Sequence, residues 1–196
     1  VPLYASMLTQ AMDYDRILAG SRSHQTGVNG ENNSVRLSIQ GGHLGHDNNG
    51  GIARGATPES SGSYGFVRLE GDLMRTEVAG MSVTAGVYGA AGHSSVDVKD
   101  DDSSRAGTVR DDAGSLGGYL NLIHNASGLW ADIVALGTRH SMKASTDNND
   151  FRARGWGWLG SLETGLPFSI TDNLMLEPQL QYTWQGLALD DGQDNA

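Results

Sequence analysis

No cysteine occurs in the 196 residues. That excludes a disulfide framework, a thiolate metal site and a thiol nucleophile. Cations are scarce: 13 Lys and Arg stand against 23 Asp and Glu, a formal net charge of -10. Such a chain lacks the electrostatic footprint that nucleic acid requires, so no nucleic-acid partner is expected. No apolar run of about 18 residues exists, which excludes a transmembrane helix. A membrane strand needs only about 9–11 alternating residues, so this absence says nothing about a barrel. The opening "VPLYASMLTQAMDYDRI" has no basic start and no long apolar block, so it does not read as a signal peptide. Proline is rare, at 4, whereas glycine is plentiful, at 28.

Residues 1–20 suit a helix, because Leu3, Tyr4, Met7, Leu8, Ala11 and Met12 recur at three-and-four spacing and Gly20 offers a stop. A polar stretch follows through Asn33. The period then changes to two. Val35, Leu37 and Ile39 alternate with Arg36, Ser38 and Gln40. Val67, Leu69 and Leu73 alternate with Arg68, Glu70 and Asp72. Similar segments begin near Met81, Ser115, Leu129 and Gly155, and "LMLEPQLQYTW" at 174–184 makes a seventh. There Leu174, Leu176, Leu180, Tyr182 and Trp184 oppose Glu177, Gln179 and Gln181.

The charges sort by face. Arg36, Arg68, Glu70, Asp72, Asp132, Glu163 and Glu177 share the polar parity, while His93, His124 and Arg139 reach the apolar parity only near expected strand ends. A sheet with one intolerant face requires such sorting. The joints also alternate. Residues 41–63, 97–114 and 141–154 are long, whereas 74–80, 125–128 and 169–173 are short. Long loops at one end and tight turns at the other describe an antiparallel up-and-down meander.

Alternation alone does not separate lipid from water. A soluble β-sandwich or lipocalin-like barrel shows it too. The small-residue polar face with charges of both signs suits a wet lumen. Trp156 and Trp158 open the sixth segment, and Tyr182 and Trp184 close the seventh. All four then fall at the long-loop end on the apolar side, where an interfacial aromatic girdle belongs.

Five stretches carry a family resemblance: "VPLYASMLTQAMDYDRIL", "SVRLSIQGGH", "GLWADIVA", "SLETGLPF" and "LEPQLQYTW". With them the chain resembles, over nearly its whole length, the β-domain or translocator of bacterial autotransporters, particularly the adhesin-type group. The resemblance implies an all-β outer-membrane barrel of about twelve strands with a helix in the pore. It implies type V secretion of an N-terminal passenger in a Gram-negative outer membrane. The partners would be outer-membrane lipid, the protein's own passenger domain and the barrel-assembly machinery. Residues 1–33 would form the pore helix and linker. Residues 34–196 would form the N-terminal two-thirds of the barrel, about seven strands, with the family's final strands absent after Ala196. Arg36, Arg68, Glu70, Asp72, Asp132, Glu163, Glu177, Gln179 and Gln181 would face the lumen, and Trp156, Trp158, Tyr182 and Trp184 would form the girdle.

Reactive chemistry is weakly represented. Asp132, His140 and Ser141 supply the residue types of a hydrolase triad, but they spread over about nine residues, roughly 30 Å of strand. They cannot converge within hydrogen-bond reach. His43, His46 and Asp47 offer only a weak metal site, and a solvated loop is the better reading. "DVKDDD" and "DDGQDNA" lack complete calcium-loop spacing. Asn32-Asn33 lies beyond the helix, which argues against passenger cleavage at an Asn pair within it. Asp13, Asp15, Glu163 and Glu177 could serve an acidic route, although lumen hydration and ion pairing explain the two glutamates better. No enzymatic activity, cofactor or metal is expected. A soluble β-rich binding protein and an outer-membrane hydrolase are the alternatives.

Overall fold

The computed structural model describes residues 2–20, 35–46, 59–99, 105–146, 150–171, 174–190 and 193–194. One helix, α1 (Pro2–Gly20), precedes strands β1 (Val35–His46), β2 (Ser60–Val78), β3 (Met81–Lys99), β4 (Arg105–His124), β5 (Trp130–Ser145) and β6 (Asp150–Gly165). Then come β7 (Phe168–Thr171), β8 (Leu174–Leu176), β9 (Gln179–Leu189) and β10 (Gln193–Asp194). Strands β1 to β6 pair in chain order, all antiparallel. β9 and β10 follow one another along the free edge of β6. The sheet is therefore seven strands wide and open.

Proline is tolerated in the first turn of a helix, where its missing N–H would be unpaired anyway, and Pro2 opens α1. Met7, Ala11, Tyr14 and Leu18 follow at helical spacing, and all are fully buried. α1 touches β3, β4, β5, β6 and β9, and through Phe66 and Arg68 it reaches β2. Six adjacent strands at ~4.8 Å spacing span about 24 Å, twice the width of a helix. The sheet must curl around α1 to make these contacts.

The β2–β3 joint is a two-residue turn with positive φ at both Ala79 (52°) and Gly80 (78°). That is the type I′ geometry which matches strand twist.

Two expectations from sequence need correcting. The supposed loops at 97–114 and 141–154 are largely strand, and the one at 41–63 begins and ends in strand, because β1 runs to His46, β3 to Lys99 and β5 to Ser145. Gly, Ser and Asp there kept the two-residue period, and backbone pairing does not need a greasy side chain. Arg139 consequently lies well inside β5. The seventh strand is also not continuous. β8 pairs with β7 in a separate hairpin, and pairing with β6 restarts at Gln179. Pro178 cannot donate to a ladder, and Pro167 interrupts the facing strand in the same way. Asn32-Asn33, Asp47, half of "DVKDDD" and most of "DDGQDNA" lie outside the described residues.

Candidate functional site

Along each long strand the inner face, which carries α1, changes character. On β5 the inner residues run Trp130, Asp132, Val134, Leu136, Thr138, His140, Met142 and Ala144, all buried. From the tight-turn end this is an ionic and aromatic tier, then an apolar tier, then a polar step, then a second apolar tier.

The loop-end tier is a small core. Met7 and Ala11 pack with Val98, Val109, Met142, Ala144 and Ala153. Leu3 approaches Gly107 near the top of β4, so the N-terminus of α1 lies at the loop end. Further down, Gln10 Nε2 donates to Ser94 Oγ at 2.7 Å. Tyr14 meets Phe66 edge-on, with centroids 6.1 Å apart. His140 stands between two carboxylates: Nδ1 lies 2.6 Å from Asp111 Oδ2, and Nε2 lies 3.5 Å from Asp15 Oδ2. All three side chains are almost completely shielded from solvent. Gly157 permits this approach, since a Cβ there would collide with Asp15 and His140. The clamp ties the helix to β4 and β5.

Where α1 ends, the inner face becomes ionic. Arg68 Nη1 donates to the Leu18 carbonyl at 3.4 Å, placing a cation at the negative end of the helix. Arg68 Nε also lies 3.3 Å from Glu70 Oε2. Arg36 reaches Glu70 at 2.6 Å and Asp72 at 3.2 Å. Arg75 holds the other Asp72 oxygen at 3.0 Å, and Tyr119 Oη donates to Asp72. A buried network of this kind is costly unless it is paired, and pairing is what the side chains achieve.

Other expected lining residues lie closer to the turns. Asp132 and Glu163 are directly opposed across β5 and β6. Glu177 accepts from Trp130 Nε1 and Gln179 Nε2, both at 2.9 Å. Gln181 donates to Ser161 Oγ at 3.2 Å. Gln179 and Gln181 share the inner parity but are exposed, because β9 is the edge strand.

The outer face is an apolar belt. On β3 the outward residues from Met81 to Ala91 are uncharged over ten residue steps, and His93 ends the run. Ten steps make ~33 Å of strand, or about 25 Å of height at a 40° tilt, the thickness of an outer-membrane belt. Trp156, Trp158, Tyr182 and Trp184 all point outward and are exposed. In the ladder they descend diagonally: Trp156 opposes Ala188, Trp158 opposes Gly186, Gly160 opposes Trp184 and Leu162 opposes Tyr182. They are not the single row expected at one level, because facing strands run in opposite directions and the register sets each pair.

The triad residues stay apart. His140 faces inward, Ser141 faces outward, and Asp132 lies eight residues from His140. Sequence reasoning missed Asp111, Arg75, Tyr119 and the Gln10–Ser94 pair. Asp111 was assigned to a loop, yet Val109, Asp111, Ala113 and Ser115 carry the same two-residue period as Tyr119.

An open antiparallel sheet with an apolar belt outside and a helix inside is part of the wall of a transmembrane β-barrel. The chain matches the family model of the autotransporter beta-domain over residues 35–196, and it belongs to that family. It is similar in structure to the transport unit of the autotransporter AIDA-I from Escherichia coli, with a TM-score of 0.66 and 17% sequence identity. The match covers 96% of this chain and 63% of that one. At this identity the likeness concerns the fold.

Proposed function

We propose that this chain acts as part of a translocator that inserts in the bacterial outer membrane and supports surface display of an N-terminal passenger. The observation that carries the reading is the course of α1. Its N-terminus lies among the loop-end residues Gly107 and Met142, and its C-terminus rests on Arg68 above the ionic tier. Anything attached before Pro2 would emerge at the loop end, while β1 starts back toward the turn end.

The belt supports membrane insertion. Ile39 and Leu116 expose 78% and 72% of their surface, and a water-soluble sheet buries such a face. Two free edges in hydrocarbon would cost several kcal/mol per unpaired group. The reading therefore includes closure by further strands, with outer-membrane lipid and the barrel-assembly machinery as partners. The lining holds the helix and keeps the lumen wet, and it has no assigned reaction.

The test uses the full-length protein in a Gram-negative host. Cysteines at Gln10 and Ser94 should crosslink in the inserted protein, and the region before Val1 should be open to protease on intact cells. An inserted barrel whose N-terminal region stays protected, with no Gln10–Ser94 crosslink, would refute the reading.

A further inference from the structure

The protein is acidic overall, yet five of its 13 cations gather on one outward patch. Arg110 on β4, Lys143 on β5 and Arg152 on β6 are direct cross-strand neighbours in a single row. Arg154 lies in the next row toward the belt, opposite Ser141, and Arg139 lies in the row after that, opposite Trp156. Like charges placed directly opposite each other destabilise a sheet. A row of three is costly unless anions neutralise it.

Local carboxylates account for part of the charge. Asp150 takes Lys143 at 2.7 Å, and Asp190 takes Arg139 at 3.5 Å. Two further outward acids lie nearby: Asp112 engages His93 at 2.8 Å, and Asp97 accepts from Thr108 Oγ1 at 2.6 Å. Arg152 shares the charge of Asp150 with Lys143, but none of Arg110, Arg152 and Arg154 makes a close ion pair among the described residues, and all three are exposed. Guanidinium groups are planar forks that match phosphate oxygens two at a time.

The depth of the patch narrows the ligand. Arg154 and Arg152 stand two and four residues above Trp156 on β6. At ~3.3 Å per residue and a tilt near 40°, they lie about 5 and 10 Å above that ring. The headgroup region occupies roughly the 5–8 Å beyond each edge of the hydrocarbon. The Arg139 guanidinium already sits over the Trp156 ring, 5.4 Å from its centroid, linking the patch to the belt.

We propose that the outer face of β4, β5 and β6, just above the belt, binds a phosphate-bearing lipid headgroup through Arg110, Arg152 and Arg154. Lys143 and Arg139, held by their aspartates, flank the site, and Trp156 meets the acyl region below it. The ligand class is an anionic phospholipid or phosphoglycolipid of the leaflet at the loop end. The proposal rests on the outer-membrane reading above.

The test reconstitutes the full-length protein in phosphatidylcholine nanodiscs doped with either bisphosphorylated lipid A or the same lipid without its phosphates. Lipid retained through detergent extraction is counted by native mass spectrometry, and insertion is scored separately by heat-modifiable mobility. The parent should retain the phosphorylated form at least about tenfold over the other. R110Q/R152Q/R154Q should fall to parity while remaining inserted. R110K/R152K/R154K should keep part of the preference. R16Q/K99Q, which removes charge elsewhere, should keep all of it. Inserted parent that retains both lipids equally overturns the proposal, as does an inserted triple Gln variant with the parent's preference. Equal competition by inorganic phosphate at matched concentration would also overturn it, because a soluble anion would then satisfy the site. Failure of the parent to insert would overturn the membrane reading and this proposal together.

Discussion

The turn-side and loop-side halves of the same strands obey opposite rules. On β5, Ile133 points outward and Asp132 inward near the turns, whereas Lys143 points outward and Met142 inward near the loops. The two-residue period is unbroken, but the side that carries the apolar residues reverses. The proposed membrane setting explains the reversal by what each face would meet. Near the turns the outside would meet lipid, and the inside lies beyond the end of α1, where ions line it. Near the loops the outside would meet water, and the inside meets Met7 and Ala11. One strand thus joins an inside-out segment to a conventional one.

One charge placed on the same face should act very differently in the two halves. In bilayer unfolding measurements on the full-length protein, Ile133→Arg should cost about 2–4 kcal/mol. Ser141→Arg, eight residues along the same face, should cost no more than about 0.5 kcal/mol. Equal costs would mean that the belt does not end between them.

Removing a side chain tests the inner half. Met142 is 2% exposed beneath α1, so Met142→Ala should lose about 2–4 kcal/mol by leaving a cavity. Leu162→Ala on the belt should lose less, about 1 kcal/mol, because lipid tails refill the space. The reverse order would place the tight core on the wrong face.

At the boundary between the halves, Arg68→Leu removes the cation from the Leu18 carbonyl and one partner of Glu70. Hydrogen exchange over residues 14–20 should speed up, reflecting a loss of about 1–2 kcal/mol. Unchanged protection there would show that Arg68 does not hold the helix end.

Smaller effects lie at the two rims. Ala79 adopts a left-handed conformation at the turn rim, so Ala79→Asn should stabilise by about 0.5–1 kcal/mol. At the loop rim, the hydrogen bond from Lys143, with help from Ser145, holds the Asp150 carboxyl below the ordinary carboxylate range. A depressed folded value means the pair's contribution is complete above the unfolded value and fades as pH falls through the folded one. Lys143→Met should move the Asp150 titration upward when followed by carboxyl NMR, and no movement would remove Lys143 as the cause.

Sequence reasoning went furthest where one partner was uniform. A bilayer, the partner proposed for the belt, is the same everywhere, so Leu37, Ile39, Val67, Leu69 and Leu120 declared the belt without knowledge of their neighbours. Arg36, Arg68, Glu70 and Asp72 declared the opposite face for the same reason. Their pairing could not be read, because Arg36 meets Glu70 only through the β1–β2 register, and Asp72 meets Tyr119 only across β3. The loop-side half was harder. Val98, Val109 and Ala144 are apolar because a helix from the N-terminal end of the chain lies on them, and "DVKDDDSSRAGTVRDDAG" alone resembles a solvated loop.

The two-residue period, the first six strands, the helix at the start of the chain and the sorting of charge within each strand were legible in the order of residues alone. These follow from local alternation, which side-chain geometry imposes on any extended chain. Folding was needed to set where the apolar face reverses, which carboxylates clasp His140, and that Arg110, Lys143 and Arg152 form one row. Those facts depend on register and on the path of α1. Residues that are 29 or 125 positions apart become neighbours only when strands pair and the sheet curls around the helix.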